Sequence, residues 1–273
     1  MKAPLPVRIA FAVIGRIAPR HAAKYAARIF STPRRIRRPD WEVELLARGT
    51  PFPLDCGLAA TQWGATAGRP VVLLHGWEGR GAQLGFFVDP LVSLGHRVIA
   101  VDGPAHGASP GKRTGPVEFA RALCAVDAQI GPLHTVIGHS MGARAAIIAL
   151  GWGLRTQKSV LLGTPASFEE VIERFADFLG IPASMRRHLL HTIERRTNVP
   201  CEQLHLPTVA RHQSAPVLVV HDVHDREVPV DCGREVARAF PHASYLEVDT
   251  GGHRKMLKAD EVLSAVAEFV GRR

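Results

Sequence analysis

Six short runs rich in apolar residues recur along the chain, and most have the continuity of a strand buried on both faces. Between most of these runs, apolar residues recur at helical spacing. An alternation of this kind predicts an α/β fold with one mostly parallel, doubly wound sheet and right-handed crossovers. The predicted strands are 70–76, 97–104, 134–140, 159–165, 215–222 and 243–249, and the predicted helices are 81–94, 115–130, 141–153, 231–239 and 255–271.

Two features depart from this regular alternation. Residues 43–49 and 57–63 are predicted to form a leading hairpin at the sheet edge. About fifty residues separate the fourth strand from the fifth, whereas a βα loop usually has about 2–6 residues. Apolar positions at helical spacing predict two helices there, so we expect a small helical cap at about 164–213, over the edge where ligands bind in such folds. An ordinary crossover helix followed by a second helix is the alternative.

A serine lies between two glycines where a predicted strand turns into a predicted helix. The stretch reads GHSMG, with Gly138, Ser140 and Gly142. In so sharp a corner, glycines relieve a collision between the first and last positions and leave the hydroxyl exposed at the helix N-terminus. A weak hydroxyl nucleophile needs this exposure and the positive end of a helix. Taken alone, the motif also fits a simple tight turn.

The candidate partners of this serine follow in the order acid, then histidine. Asp222 and Asp225 lie in the loop after one predicted strand, and His253 follows the next strand and two glycines. The carboxyl ends of parallel strands meet at one edge of a sheet, so a hydroxyl, an imidazole and a carboxylate can meet there. Both aspartates remain candidates for the acid on this argument.

A tetrahedral intermediate also needs backbone hydrogen-bond donors. One candidate is the N–H of Met141, directly after the serine, and the other is the N–H of Trp77 in the loop after the first central strand. Glycines around Trp77 let the backbone approach a substrate closely. These two N–H groups are therefore the predicted oxyanion hole.

These motifs together resemble the α/β-hydrolase superfamily, in its serine esterase and lipase branch. LLHGWEG resembles the oxyanion loop, VDGPAHGASPG the D-x-x-G-x-G-x-S loop, HDVHDREVP the acid loop and GGHRKML the loop that carries the base. The resemblance covers about residues 70–270 and implies a catalytic triad. By its offset from Val228 and Pro229 it favours Asp225 as the acid, although Asp222 stands where related chains often have glycine. A serine at the elbow argues against the dehalogenase and epoxide-hydrolase branches, whose nucleophile is Asp.

The expected function is hydrolysis of a carboxylic ester with a small or medium acyl group, through an acyl-enzyme and without a cofactor. The predicted triad is Ser140, Asp225 and His253. A thioesterase, an acyltransferase, a C–C bond hydrolase and a perhydrolase would use the same triad. A non-catalytic binding protein of this fold at a membrane surface is the alternative of another class. We expect a small-molecule ester as the partner and, with no further ligand evident beside His221 and His224, no metal.

The formal net charge of +9 is concentrated in the first 39 residues. They contain ten Lys and Arg and no Asp or Glu, which leaves 24 basic and 25 acidic residues for the remainder. A nearly neutral body offers no broad basic face for phosphates, so we expect no nucleic-acid partner. The four cysteines are scattered and form no C-x-x-C. Free thiols in a reducing compartment are expected, and hence a cytoplasmic location.

Residues 1–39 are predicted to be a basic amphipathic segment that precedes the hydrolase domain of residues 40–273. The aliphatic face is Ile9, Val13 and Ile17, and the basic stripe is Arg20, Lys24 and Arg28. Such a segment can pack against the body, make peripheral contact with an anionic membrane, or serve as a transit peptide. We expect it to contribute no catalytic group and its deletion to preserve kcat.

Overall fold

The computed structural model describes residues 2–272 of the chain. The strands are β1 Thr50–Pro53, β2 Ala59–Trp63, β3 Pro70–Leu74, β4 Arg97–Val101, β5 Leu133–His139, β6 Thr156–Leu162, β7 Val217–Asp222 and β8 Ala243–Val248. The α-helices are α1 Leu5–Ile17, α2 Pro19–Ser31, α3 Asp40–Ala47, α4 Val88–Ser93, α5 Pro116–Ile130, α6 Met141–Gly151, α7 Phe168–Leu179, α8 Ala183–Thr197, α9 Leu206–Ala210, α10 Val230–Ala239 and α11 Asp260–Gly271. Short 3-10 helices span Gly81–Phe87, Cys201–Leu204 and Lys255–Lys258.

All eight strands belong to one sheet, in the order β1-β2-β4-β3-β5-β6-β7-β8. The pairs β1–β2 and β2–β4 are antiparallel, and the other neighbouring pairs are parallel. The six predicted central strands are β3 to β8. Strands β5 and β7 are buried along their whole length, which explains why apolar residues predominate at their centres. Because these strands are parallel, the loops that follow β5, β7 and β8 lie at the same edge of the sheet.

The predicted strand at residues 43–49 is wrong, because most of this segment lies in helix α3. Glu42 and Leu45 are the buried residues of α3, and a spacing of three places side chains on one face of a helix. Asp40 and Glu42 also put negative charge in its first turn, which the helix dipole favours. The strand that pairs with β2 is β1, and its two prolines are tolerated because β1 is an edge strand.

Helices cover both faces of the sheet and enclose two hydrophobic cores. Helices α5, α6 and α10 contribute to one core, together with the helices inserted between β6 and β7. Helices α4 and α11 and the 3-10 helix at Gly81–Phe87 contribute to the other. The prediction of a doubly wound, mostly parallel sheet is therefore confirmed.

The helices α7, α8 and α9 form the insertion between β6 and β7. Ser167 caps the N-terminus of helix α7, and its hydroxyl accepts a hydrogen bond from the N–H of Glu170 at 3.3 Å. Arg144 of α6 is buried, and its guanidinium donates to the carbonyl of Ala166 at 2.8 Å and to the carbonyl of Leu204. These bonds connect the insertion to the helix that follows the serine corner.

Helices α1 and α2 lie on the insertion. The N–H of Ala3 donates to the carbonyl of Phe178 at 2.9 Å. Helix α2 packs against α8 through a stripe of small side chains, which are Ala22, Ala23, Ala26 and Ala27, all at most 4% exposed. Of the uses considered for residues 1–39, packing against the body is the one that α2 shows. Every helix among residues 2–272 is too short or too polar to cross a lipid bilayer.

Candidate active site

Ser140 occupies the turn between β5 and α6. Its backbone has φ 53° and ψ −116°, a conformation that is strained for a residue with a Cβ. A Cβ at Gly138 would lie 2.6 Å from Cα of Ala143, and one at Gly142 would lie 2.2 Å from the carbonyl oxygen of Leu74. Neither distance can be accommodated without moving the backbone. The close approach of the chain therefore requires both glycines and leaves the serine at the N-terminus of α6.

His253 is paired with Asp225 at the same edge of the sheet. The imidazole Nδ1 lies 2.5 Å from Oδ2 of Asp225, and both side chains are at most 4% exposed. The other carboxylate oxygen accepts backbone hydrogen bonds from Glu227 and Val228, both at 2.8 Å. Burial alone would raise the pKa of Asp225, but hydrogen bonds from His221 and His253 outweigh it and hold the pKa well below its usual value. The carboxylate is therefore charged and oriented.

Asp222, the other candidate acid, contacts different groups. One oxygen accepts from the N–H of His224 at 2.7 Å, and the other accepts from the N–H and the hydroxyl of Thr250, both at 2.6 Å. Asp222 thus links the loop after β7 to the loop after β8. The structure pairs His253 with Asp225, and Asp222 holds the loops that carry the two residues.

The ends of β5 and β6 place Ser140 and His253 near each other. The N–H of Ser140 donates to the carbonyl of Leu162 at 2.8 Å. Gly163 follows, and a Cβ there would lie 3.1 Å from Nδ1 of His253. The ring of His139 lies 4.6 Å from the ring of His253 and donates to its carbonyl at 3.0 Å. Within residues 2–272 the Ser140 hydroxyl makes no hydrogen bond to the imidazole, a bond that often shortens only when substrate binds.

The two predicted oxyanion donors lie on either side of this corner. Met141 is the first residue of α6, so its N–H has no carbonyl partner within the helix. Trp77 follows Gly76, whose position allows close approach, because a Cβ there would lie 3.0 Å from Cβ of Ser140. Neither the N–H of Met141 nor that of Trp77 donates a hydrogen bond to another of the described residues. Both donors are therefore free to bind a ligand.

Two buried histidines hold the loop that contains Trp77. Nε2 of His75 accepts from the N–H of Gly103 at 3.0 Å, and Nε2 of His106 accepts from the N–H of Glu78 at 2.9 Å. Burial, followed by the charge of His106, lowers the pKa of His75 to about 3. Burial likewise lowers the pKa of His106. Their bonds to loop backbone give both side chains a structural role.

An arginine of the N-terminal segment also holds this loop, and a second one binds the loop after β4. Sequence reasoning missed both contacts. The guanidinium of Arg34 binds both carboxylate oxygens of Glu78, at 2.9 and 2.7 Å. Glu78 follows Trp77 and has a φ of 54°, which a residue with a Cβ seldom adopts. The bond from Arg34 lowers the pKa of Glu78. Arg38 similarly binds Asp102 at 2.9 Å. The only sequence signal was the number of arginines, which does not identify their partners.

A cavity of 540 Å³ opens beside His253. Its walls carry mainly basic side chains, and Ser140 does not line it; the lining residues are His224, Arg226, Glu227, Gly251, Gly252, His253, Arg254 and Lys255. The charge of the walls favours negatively charged molecules near the imidazole. Among residues 2–272, no group of three His, Cys, Asp or Glu side chains is arranged to hold a metal ion.

Comparisons with known proteins agree with this fold. A family model described as the alpha/beta hydrolase family matches residues 71–265. A solved esterase from Exiguobacterium antarcticum superposes with a TM-score of 0.61 at 18% identity, over 82% of this chain and 100% of that one. At such identity the likeness concerns the fold.

Curated relatives give a similar result. A pimeloyl-[acyl-carrier protein] methyl ester esterase of Xanthomonas campestris is 26% identical and covers 74% of this chain and 95% of its own length. A 2-hydroxy-6-oxononadienedioate/2-hydroxy-6-oxononatrienedioate hydrolase of Klebsiella pneumoniae is 28% identical over 74% of this chain and 87% of its own. A serine hydrolase-like protein of Danio rerio is 36% identical, but the match spans 31% of this chain and only 27% of that protein.

Proposed function

The chain belongs to the alpha/beta hydrolase family, and we propose that it hydrolyses a carboxylic ester with a small or medium acyl group through an acyl-enzyme. The observation that carries the proposal is the buried Asp225–His253 pair, 2.5 Å apart, beside the strained corner at Ser140. The Xanthomonas relative, named as a methyl ester esterase, supports an ester as the substrate. The proposed catalytic residues are Ser140, Asp225 and His253.

In the first half of the proposed reaction, Oγ of Ser140 attacks the ester carbonyl carbon. Its proton passes to Nε2 of His253, and the carbonyl electron pair moves onto oxygen. The N–H groups of Trp77 and Met141 stabilise the resulting oxyanion. As the intermediate collapses, the bond to the alkoxide breaks and the alkoxide takes the proton from His253, which leaves an acyl group on the serine.

In the second half, His253 removes a proton from water, and the hydroxide attacks the acyl carbon. The bond to Oγ breaks, and Ser140 recovers the proton from the imidazole as the acid leaves. Asp225 accepts a hydrogen bond from Nδ1 throughout, so Nε2 faces the reaction in its proton-accepting tautomer. The carboxylate also stabilises the imidazolium that forms in each half. The chain's own groups account for every proton transfer.

Two alternatives use the same fold differently. A thioesterase or an acyltransferase would employ the same triad, and the insertion between β6 and β7 would select the thiol or the acceptor. A non-catalytic binding protein would need none of the three catalytic side chains. The charged, hydrogen-bonded Asp225 facing His253 favours catalysis, because this pairing orients the imidazole as a general base, which a binding protein does not need.

The test compares purified wild type with Ser140→Ala on p-nitrophenyl esters and acyl-CoA thioesters. We expect faster turnover of esters and a loss in kcat of roughly 10³-fold or more in the variant. Ser244→Ala, on the exposed part of β8, is the matched control and should keep wild-type kcat. A fluorophosphonate should label wild type and the control but not Ser140→Ala. Undiminished turnover by the variant would overturn the nucleophile, and a wild type that is neither labelled nor active would favour the binding protein.

A further inference from the structure

Helix α1 leaves most of its large aliphatic side chains outside the core. The buried residues of α1 are Phe11 and Gly15. The exposed aliphatic side chains and their exposed fractions are Leu5 65%, Val7 38%, Ile9 53%, Val13 48%, Ile14 48% and Ile17 79%. Single exposed aliphatics are common on protein surfaces, but several on one short helix mark an interaction surface.

The exposed aliphatics of α1 face away from the protein body. Phe11 and Gly15 are four residues apart and lie on one face of the helix. A Cβ at Gly15 would lie 2.9 Å from Cγ of Pro182, so α1 approaches the start of α8 with its backbone. Ile9, Val13 and Ile17 form a second stripe on a different face. The body covers the first stripe and leaves the second open.

The charges beside this apolar stripe have one sign. Arg16 lies on the open side of α1, and α2 adds Arg20, Lys24 and Arg28, all of them exposed. Within residues 2–272, no carboxylate lies within salt-bridge distance of any of these four. Up to residue 39 the chain has no Asp or Glu at all. The surface therefore combines aliphatic side chains with unpaired positive charge.

A cleft between α2 and α8 gathers part of this charge. Its volume is 680 Å³, and its lining residues are Arg20, His21, Lys24, His188, His191, Thr192, Glu194 and Arg195. Glu194 is the one carboxylate at this wall, and its oxygens are already bound by His191 at 3.0 Å and by the N–H of Cys201 at 3.0 Å. The other cationic side chains of the cleft can bind an anion, such as the phosphate of a lipid headgroup. They are Arg20, Lys24 and Arg195.

We propose that α1 and α2 bind the surface of an anionic phospholipid bilayer. The stripe of Ile9, Val13 and Ile17 enters the boundary between headgroups and acyl chains, and the cleft between α2 and α8 receives a lipid phosphate. An aliphatic face bordered by Lys and Arg is the pattern of interfacial helices. A second copy of the chain fits this surface poorly, because association through it would bring unpaired positive charges together.

The test is co-sedimentation of the full-length protein with vesicles of phosphatidylcholine containing about one quarter phosphatidylserine, an anionic lipid. We expect binding that weakens as salt rises and is much weaker on pure phosphatidylcholine. Ile9→Ser with Ile17→Ser should lower the vesicle binding constant by at least about tenfold, because buried aliphatic area drives insertion. Arg20→Gln with Lys24→Gln should lower it by about fivefold for each charge removed.

Two control variants lie elsewhere on the surface. Val43→Ser removes an aliphatic side chain on α3 that is 54% exposed, and Arg238→Gln removes an exposed cation from α10. Both should bind vesicles as wild type does. Circular dichroism should show every variant folded, and hydrolysis of a soluble ester should be unchanged in all of them. The result on vesicles is therefore independent of the proposed reaction.

Four outcomes would overturn the proposal. The first is equal sedimentation with anionic and neutral vesicles. The second is wild-type sedimentation of the folded Ile9→Ser, Ile17→Ser variant. The third is a wild-type dimer in solution that dissociates in this variant, combined with no vesicle binding, which would make the surface a contact between two copies. Binding of inorganic phosphate without any vesicle binding would likewise replace the membrane by a soluble anion.

Discussion

The most discriminating prediction concerns the two aspartates after β7. Asp225 faces Nδ1 of His253 at 2.5 Å, whereas Asp222 binds the N–H of His224 and two groups of Thr250. Changing each to asparagine removes the charge and keeps the shape. The two variants therefore separate a carboxylate that acts on the imidazole from one that holds loops together.

The expected loss of kcat in Asp225→Asn follows from what each carboxylate oxygen contacts. Oδ1 accepts two backbone hydrogen bonds, from Glu227 and Val228, so the amide of asparagine would keep its oxygen there. Its NH₂ group would then face His253 and force a proton onto Nε2. The imidazole could no longer accept the serine proton. We expect kcat to fall by about 10³- to 10⁴-fold, as loss of the correct tautomer does in serine proteases.

Asp222→Asn should instead lower the stability of the folded protein. In the variant, the charge-assisted hydrogen bonds from Thr250 and His224 become weaker bonds to a neutral amide. Both oxygens of Asp222 accept hydrogen bonds, so the NH₂ group that replaces one of them would face a donor and lose that bond. A hydrogen bond to a charged group contributes about 1.5–3 kcal/mol, so the free energy of unfolding should fall by about 2 kcal/mol. The kcat of the folded fraction should stay within about tenfold of wild type, since Asp222 makes no bond to His253.

The assay is kcat for a p-nitrophenyl ester, measured on each variant with its urea unfolding curve. The curve gives the folded fraction, to which kcat is normalised. A larger kcat loss in Asp222→Asn than in Asp225→Asn, at equal folded fraction, would refute the reasoning and assign the acid role to Asp222. Equal losses would show that the two loops act as one unit, and the distinction drawn from their contacts would be wrong.

Three further predictions concern the support of the site. Arg34→Ala should lower kcat about three- to tenfold with a smaller change in KM, because Glu78 loses its partner beside Trp77 and an oxyanion donor moves; wild-type kcat would contradict this. Gly142→Ala should reduce stability by about 1–3 kcal/mol in urea unfolding, because its Cβ would overlap a backbone oxygen, and an unchanged midpoint would argue against the elbow geometry. Acid should destabilise the protein between about pH 6.5 and 3, because the unfolded chain protonates His75 before the folded one does. Stability should fall by up to about 1.4 kcal/mol per pH unit from this group, and His75→Gln should flatten the dependence in thermal melts.

The parts of the fold that sequence could predict are those that depend on local pattern. Buried parallel strands are mostly apolar, so strands such as β3, β4 and β7 were recognisable. The corner at Ser140 was recognisable because its geometry restricts two positions to glycine. The order of acid and histidine along the chain placed both at one sheet edge. Their direct pairing, however, depends on loop conformations that periodicity does not describe.

The parts that could not be predicted depend on contacts between distant residues. Val43 and Leu45 alternate with acidic residues as in a half-exposed strand, but burial of Glu42 beside Arg80 favours a helix. Arg34 binds Glu78, 44 positions further on, and nothing in either residue's neighbourhood indicates the other. Sequence reasoning expected residues 1–39 to be catalytically independent; Arg34 supplies no catalytic group, yet it contacts the loop that carries Trp77.

The docking of α1 and α2 on the insertion has a consequence for biosynthesis. The N–H of Ala3 bonds to Phe178, which the ribosome adds about 175 residues later, or roughly 9–35 s later at about 5–20 residues per second. Helix α8, the platform for α2, emerges later still. During that interval the nascent chain carries an aliphatic, cationic hairpin with no folded partner. The surfaces of α1 and α2 that face the insertion are therefore covered only after α7 and α8 have been synthesised.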